Sequence, residues 1–357
     1  MDPISQGALG AAAAESVATR SKLRAWALLG CLAGMAPDVD VFIGSADDPL
    51  LFLEYHRQFT HALVFIPVGA MVVALVLHWT VRRTLTPMES YLACLAGYAT
   101  HGFLDACTSY GTQLLWPFTD ERFAWNNVSV VDPLFTLPLL GLVVAAAVTR
   151  RRILALVGLA WAAGYLLLGV VQTQRVEAAV VALAAERGHQ PNRVTVKAGF
   201  ANLLLWKVIY EHGGRYHVDA VRAGLNVSVC PGTSVATLDV GRDLPWLDPD
   251  SQQARDVERF RWFSDDYLAL DPGNPHGVID IRYSVVPNRI DPLWGIVLRR
   301  DVQPGSHVAF FANETIGPGQ RSEYLQLLTG DGCGATIPST RTNEHGRHES
   351  RNLAADS

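Results

Sequence analysis

The sequence predicts an α-helical multi-pass membrane bundle of about five to six membrane segments, followed by a mostly antiparallel α+β domain outside the membrane. Three observations lead there. Only 18% of the 357 residues are charged while 49% are hydrophobic, which is too few charges for an average soluble chain. The apolar character is confined to the part before about Val171, beyond which charges, prolines and alternating patterns take over. Within that part, bilayer-length apolar runs are separated by short basic clusters.

Residues 62–79 contain no Asp, Glu, Lys or Arg and end at Arg82-Arg83, long enough to cross a hydrocarbon core of about 30 Å. Runs 133–148 and 153–171 follow the same rule and are separated by Arg150-Arg151-Arg152. Run 91–104 is interrupted near its end by His101, and the shorter runs 4–17 and 25–36 flank Arg20, Lys22 and Arg24 as a candidate helical hairpin. With all three basic clusters in the cytoplasm, six segments alternate without conflict, and the C-terminal domain is expected in the periplasm of a bacterial inner (cytoplasmic) membrane. The N-terminus begins with an acid and lacks the basic region of a signal peptide. A net charge of −5 without a basic stripe gives nucleic-acid binding no support.

This topology gathers the polar groups on the side away from the arginines. PDVD (37–40), HRQFTH (56–61), ATHGFLD (99–105) and Asp132 all fall there. Taken singly, each has a plain role. Asp38 and Asp40 suit a turn after Pro37, His56 and His61 suit an interface anchored by Tyr55 and Arg57, and Asp132 before Pro133 suits a helix N-cap. His101 and Asp105, four residues apart, share a helix face, and ionisable groups within a span usually turn inward for a purpose. Taken together, these are ligand types for a divalent cation such as Zn²⁺ or Mn²⁺. Three or four would hold one ion and six are enough for two. Such an ion brings its bound water toward a pKa of about 7, and Arg57 suits a phosphoryl oxygen by a forked contact.

The stretches MDPISQGALGA, GMAPDVDVF, YHRQFTHAL, ATHGFLDACTSYGTQLLWPF and VVDPLFTLPLL resemble the YdjM-like membrane-bound metal-dependent hydrolases of the bacterial inner membrane. KAGFANLLLWKVIYEHGGRYHV resembles the extension of a longer branch of that family. The resemblance implies a metal site on Asp38, Asp40, His56, His61, His101 and Asp105, with Asp132 a weaker addition. One position departs from the pattern: Gln6 stands where family members often carry a histidine, so the site uses one ligand fewer or Asp2 takes the place.

The division into domains is expected at 1–172 (membrane), 173–338 (periplasmic) and 339–357 (a disordered polar tail containing His345 and His348). After an amphipathic helix at 175–188, strands are predicted at 193–200, 203–211, 215–223, 227–230, 234–240, 278–286, 293–299 and 307–312, and a helix at 250–263. Cys230 and Cys333 could pair in an oxidising compartment. The histidines at 189, 212, 217, 276 and 307 form no ligand-like cluster, GDGCG (330–334) reads as a turn, and no GxSxG is present.

These residues point first to an integral-membrane metal-dependent hydrolase whose activated water attacks an ester or phosphoester of an amphiphilic, lipid-like substrate at the outer leaflet. Asp38, Asp40, His61 and His101 are the expected ligands. His56 and Asp105 are further ligands or a base and its orienter, and Arg57 stabilises the anion. One alternative is a non-catalytic scaffold whose outer domain binds a partner. The other, a metal-ion transporter, is opposed by the apolar inner halves of the spans at 72–77 and 142–148.

Overall fold

The computed structural model describes residues 1–313 and 315–334 together with the short strand Thr336–Ile337. The predicted tail lies outside the described residues.

The membrane half is built around α1 (Pro3–Val17), which Asp2 starts by accepting from the Ile4 and Ser5 amides. It packs against α2 (Leu23–Met35) through glycines. A Cβ on Gly10 would stand 2.5 Å from the Gly30 carbonyl oxygen, and one on Gly97 would stand 2.2 Å from the same atom. These gaps let three backbones touch, the usual way of associating helices when water offers no drive between apolar surfaces.

After α2 the PDVD segment turns through a 3₁₀ helix, Ala36–Phe42, and α3 (Leu51–Tyr55) follows. Two further 3₁₀ turns, Phe59–His61 and Leu63–Phe65, lead into α4 (Ile66–Val81). Next come α5 (Pro87–Ala106), opened by a Thr86–Glu89 capping box, and α6 (Pro133–Thr149), capped by Asp132. The 35-residue α7 (Arg152–Glu186) completes the bundle. α1 is enclosed by α2, α5, α6 and α7, while α4 turns Val68, Val72, Leu75, Val76 and Trp79 outward.

Among the described residues, three segments are long and apolar enough to cross a membrane: Leu23–Phe42, Leu63–Val81 and Arg152–Glu186. The apolar α6 is shorter, and α1 has only 15 residues. The basic clusters draw together at one end. Arg24 Nε donates to the Ala147 carbonyl at 2.9 Å and Lys22 pairs with Glu89 at 2.6 Å.

α7 runs unbroken past residue 172, so the expected domain boundary falls inside a helix. Gln172 is buried there and its Nε2 donates to the carbonyls of Leu203 (2.9 Å) and Ala223 (2.6 Å), so the polar residue that ends the apolar run is a docking contact.

The outer domain begins with β1 (Arg193–Ala198), β2 (Leu205–His212), β3 (Arg215–Ala223) and β4 (Val227–Ala236). With β9 (Thr336–Ile337) they form an antiparallel sheet ordered β1-β2-β3-β4-β9. The two strands expected at 227–230 and 234–240 are one. Its Pro231-Gly232 step is absorbed by a register shift opposite Asp219, whose Oδ1 accepts the Gly232 amide at 2.9 Å.

α8 (Val240–Asp243) and α9 (Gln252–Phe263) lead to a second antiparallel sheet of β5 (Leu268–Asp271), β6 (Asn274–Asp280), β7 (Trp294–Val297) and β8 (Ala309–Ala312). The strand predicted at 278–286 ends at Asp280, where a forked pair with Arg282 (2.9 and 2.7 Å) closes the ladder. β5 and α10 (Pro318–Thr329) were not expected from the sequence. Cys230 and Cys333 form a disulfide. The domain is fastened over the loops of the membrane half by Arg259, which meets Asp48 at 2.8 Å and Glu54 at 2.5 Å. The Tyr283 hydroxyl adds a bond to the Ser109 carbonyl at 2.6 Å.

Candidate metal centre

Three chain segments meet at the end of the bundle opposite the basic clusters. The 3₁₀ turn after α2 carries Asp38 and Asp40, the turn before α4 carries His61, and the last turns of α5 carry His101 and Asp105. α5 and the loop close to contact at Gly102, where a Cβ would lie 2.5 Å from the His61 carbonyl oxygen. Arg57, at the bend between α3 and the loop, adopts a left-handed backbone with φ of 65°. Its amide donates to Asp40 Oδ2 at 3.0 Å, which holds the bend.

Four ligand-type atoms converge. His61 Nε2 and His101 Nε2 are 2.9 Å apart. Asp38 Oδ1 lies 3.6 Å from the first and 3.3 Å from the second, and Asp105 Oδ2 lies 3.1 and 3.5 Å from them. Ligands at about 2.0–2.2 Å around a tetrahedral zinc are about 3.3–3.6 Å from one another. The observed spacings are close to these edges.

The protons reinforce the geometry. His101 Nδ1 is 2.6 Å from the Gly34 carbonyl, which can only accept, so Nδ1 carries the hydrogen. His61 Nδ1 faces Thr60 Oγ1 at 2.9 Å and Asp40 Oδ2 at 3.2 Å, while Thr60 itself donates to Asp40 at 2.6 Å. Its Nδ1 is therefore the donor as well. In the neutral rings both Nε2 atoms then present lone pairs to each other, beside an Asp105 Oδ2 that accepts no hydrogen bond among the described residues and has only the Arg57 ion pair. A cation is what this donor set fits.

Around the cage, Asp40 is the organiser: buried, it also accepts His56 Nδ1 at 2.7 Å on Oδ1. Histidines held in this way by a carboxylate are oriented for metal ligation. Asp38, Asp40 and His56 form a second, adjoining group of possible ligands that shares Asp38 with the first. Arg57 is 4% exposed, with Nε 3.1 Å from Asp105 Oδ2 and Nη1 donating to Thr108 Oγ1 at 2.9 Å.

Gln6 lines the cage from α1. Its Nε2 donates to Asp105 Oδ1 at 2.8 Å, and the Met1 amino group contacts the same oxygen. Asp2 is spent on capping α1 and does not substitute for a ligand.

Asp132 is the one sequence-predicted ligand that lies apart. It is in neither ligand group; it caps α6 and accepts the Tyr165 hydroxyl at 2.8 Å. Thr60, Thr108, Tyr110 and the Gly34 carbonyl were not singled out from the sequence. All four lie within the quoted motifs, but a backbone carbonyl leaves no side-chain signal of its role.

Curated relatives match part of the membrane half. "Inner membrane protein YbcI" of Escherichia coli (strain K12) is 33% identical over 107 residues, which cover 28% of this chain and 60% of that protein. "Uncharacterized protein YfhP" of Bacillus subtilis (strain 168) is 25% identical over 107 residues, covering 30% of this chain and 32% of that protein. The chain thus spans about a third and three fifths of these relatives' lengths. No solved structure matches. Residues 1–176, the bundle that carries the cage, match the family model described as YdjM inner membrane protein.

Proposed function

We propose that the protein is a metal-dependent hydrolase of the bacterial inner membrane, acting on an ester or phosphoester of an amphiphilic substrate. The observation that carries this reading is the facing pair of Nε2 lone pairs, His61 and His101, completed by Asp38 and Asp105. Zn²⁺ or Mn²⁺ held by these four residues would supply Lewis acidity and an activated water.

The chain's own groups do the rest. Asp40 fixes His61 and His56 through their Nδ1 atoms. His56, 18% exposed and making no hydrogen bond through Nε2 among the described residues, is the group to accept a proton from a nucleophile or return it to a leaving group. Arg57, beside Asp105, offsets charge that develops on a phosphoryl or acyl oxygen. In this reading six helices, α1, α2 and α4 to α7, traverse or enter the bilayer. The basic clusters are cytoplasmic, and the cage and the sheet domain face the periplasm.

The test combines content and turnover. Purified protein is analysed for transition metals, then assayed against phospholipids and lipid phosphates beside a His61→Ala/His101→Ala variant. Metal-dependent hydrolysis lost in a folded variant supports the reading. An absence of metal after reconstitution with Zn²⁺ and Mn²⁺ removes it and turns attention to partners of the outer domain.

A further inference from the structure

Beyond Tyr110 from the cage lies a cavity of about 450 Å³, between loop 109–126, β1 and the end of α9. Its lining includes Arg122, Lys197 and Arg282. Arg282 is neutralised by its forked pair with Asp280. The other two form no ion pair among the described residues.

Arg122 spends its Nη atoms on the carbonyls of Leu53, Tyr110 and Gly111, and its Nε is buried with no partner. It has no carboxylate partner among the described residues. Lys197 Nζ stands 3.1 Å from the centre of the Tyr283 ring and makes no hydrogen bond among the described residues. Nearby Lys207 shows how this fold satisfies a buried ammonium: it donates to Ser284 Oγ (2.8 Å), the Pro287 carbonyl (3.2 Å) and the Arg289 carbonyl (2.7 Å).

Burial pulls the Lys197 ammonium well below the usual lysine range, opposed by Asp280 and aided by repulsion from Arg282 and Lys207. Burial likewise lowers Arg122 to about 10. Two half-buried basic side chains without a carboxylate partner among the described residues, in one polar cavity, describe a place prepared for an anion. The lining carboxylates, Asp120, Glu121 and Asp265, are exposed and screened by water at the rim.

We propose that this cavity is a phosphate-binding site, the phosphoryl oxygens taking hydrogen bonds from Lys197 Nζ and the Arg122 guanidinium. Its several acceptor oxygens match the donors left over, and the acidic rim favours ligands that carry ammonium or hydroxyl groups away from the phosphate. The Arg57 and Arg122 guanidiniums lie 4.8 and 5.4 Å from the same Tyr110 ring, so the site adjoins the cage. It rests on its own cations and does not depend on the hydrolase reading.

The experiment titrates inorganic phosphate into the intact, chelator-treated chain in phosphatidylcholine nanodiscs, by calorimetry. The parent is compared with Lys197→Met, Arg122→Gln and His61→Ala/His101→Ala. The expected result is one saturable site, weakened about tenfold or more by loss of either charge-assisted donor and unchanged in the cage variant. Lys197→Met keeps the stem and removes the amino group, and Arg122→Gln provides a second reading if one variant misfolds.

Phosphatidylglycerol discs separate the sources. Lower phosphate affinity there identifies a lipid headgroup as the occupant, and equal affinity identifies a soluble phosphate; either result upholds the site. No saturable binding by the parent, equal binding by the folded Lys197 and Arg122 variants, or loss of binding in the cage variant overturns it.

Discussion

His61 Nε2 and His101 Nε2 face each other at 2.9 Å with the Nδ1 atom of each ring held as a donor, one by Thr60 and Asp40 and the other by the Gly34 carbonyl. Two neutral imidazoles in this arrangement repel through their lone pairs. The surrounding packing, including Gly102 against the His61 carbonyl, holds them there. That relationship motivates the first two predictions.

The protein purified without chelator is expected to hold about one equivalent of Zn²⁺ or Mn²⁺ per cage, measured by elemental mass spectrometry. His101→Ala loses it. Asp132→Ala retains it but lowers stability by about 1–2 kcal/mol, because a helix cap and the Tyr165 partner are removed rather than a ligand. Loss of metal in the Asp132 variant with the fold intact would return Asp132 to the site.

Asp40→Asn keeps the shape of the organiser but removes the charge that steadies two histidines. Metal affinity is expected to fall about 10- to 100-fold, read by competition with a chromophoric chelator. An undiminished affinity would show that Thr60 alone orients His61.

Gly30→Ala brings a Cβ to 2.4 Å from that of Ala14 and 2.6 Å from the Gly10 carbonyl oxygen, a clash with backbone on the facing helix. The expected cost is about 1–3 kcal/mol by thermal unfolding in detergent. Gly141→Ala on α6 meets nothing within 4 Å and serves as the comparison, neutral or slightly stabilising.

Arg259→Ala releases Asp48 and Glu54 from α9 and leaves the fully buried Asp256 without its guanidinium. A loss of about 1–2 kcal/mol and faster amide exchange across residues 48–58 are expected. Unchanged exchange would mean that the Tyr283–Ser109 contact suffices to hold the outer domain over the loops.

Lys207 links stability to pH. Burial pulls its ammonium down to about 7 in the folded protein, whereas the unfolded chain keeps that proton to about 10.4. Between these values the unfolded state binds more protons, so stability rises with pH from about 7 upward. The slope reaches at most about 1.4 kcal/mol per pH unit and vanishes below the folded value. Lys197 shifts in the same direction, so the comparison is between parent and Lys207→Met, in which the rise from pH 7 to pH 9 is expected to flatten. Parallel curves for the two proteins would show that the three acceptors keep Lys207 charged throughout.

Whatever depends on local pattern was legible along the chain. The apolar runs became α4, α6 and the first part of α7, and Thr86-x-x-Glu89 and Asp132-Pro133 start helices where their capping chemistry says they should. β3 falls on its predicted residues because Gly213 and Gly214, with φ of 59° and 70°, supply the hairpin turn before it. The PDVD, HRQFTH and ATHGFLD stretches marked the residues that meet.

Which of them meet, and at what distance, follows from packing between distant segments. Asp38 reaches His61 and His101 because glycine contacts bring α1, α2 and α5 together, and those contacts depend on residues far apart in the chain. Asp132 has the same chemistry and the same predicted side of the membrane, yet Tyr165 and the α6 amides claim it. The continuity of α7 and the fusion of two expected strands into β4 likewise came from partners outside each segment, the outer-domain carbonyls that take Gln172 and the Asp219 carboxylate that takes Gly232. Hydropathy and period report on neighbours along the chain, whereas a cage of lone pairs is a property of backbones that touch.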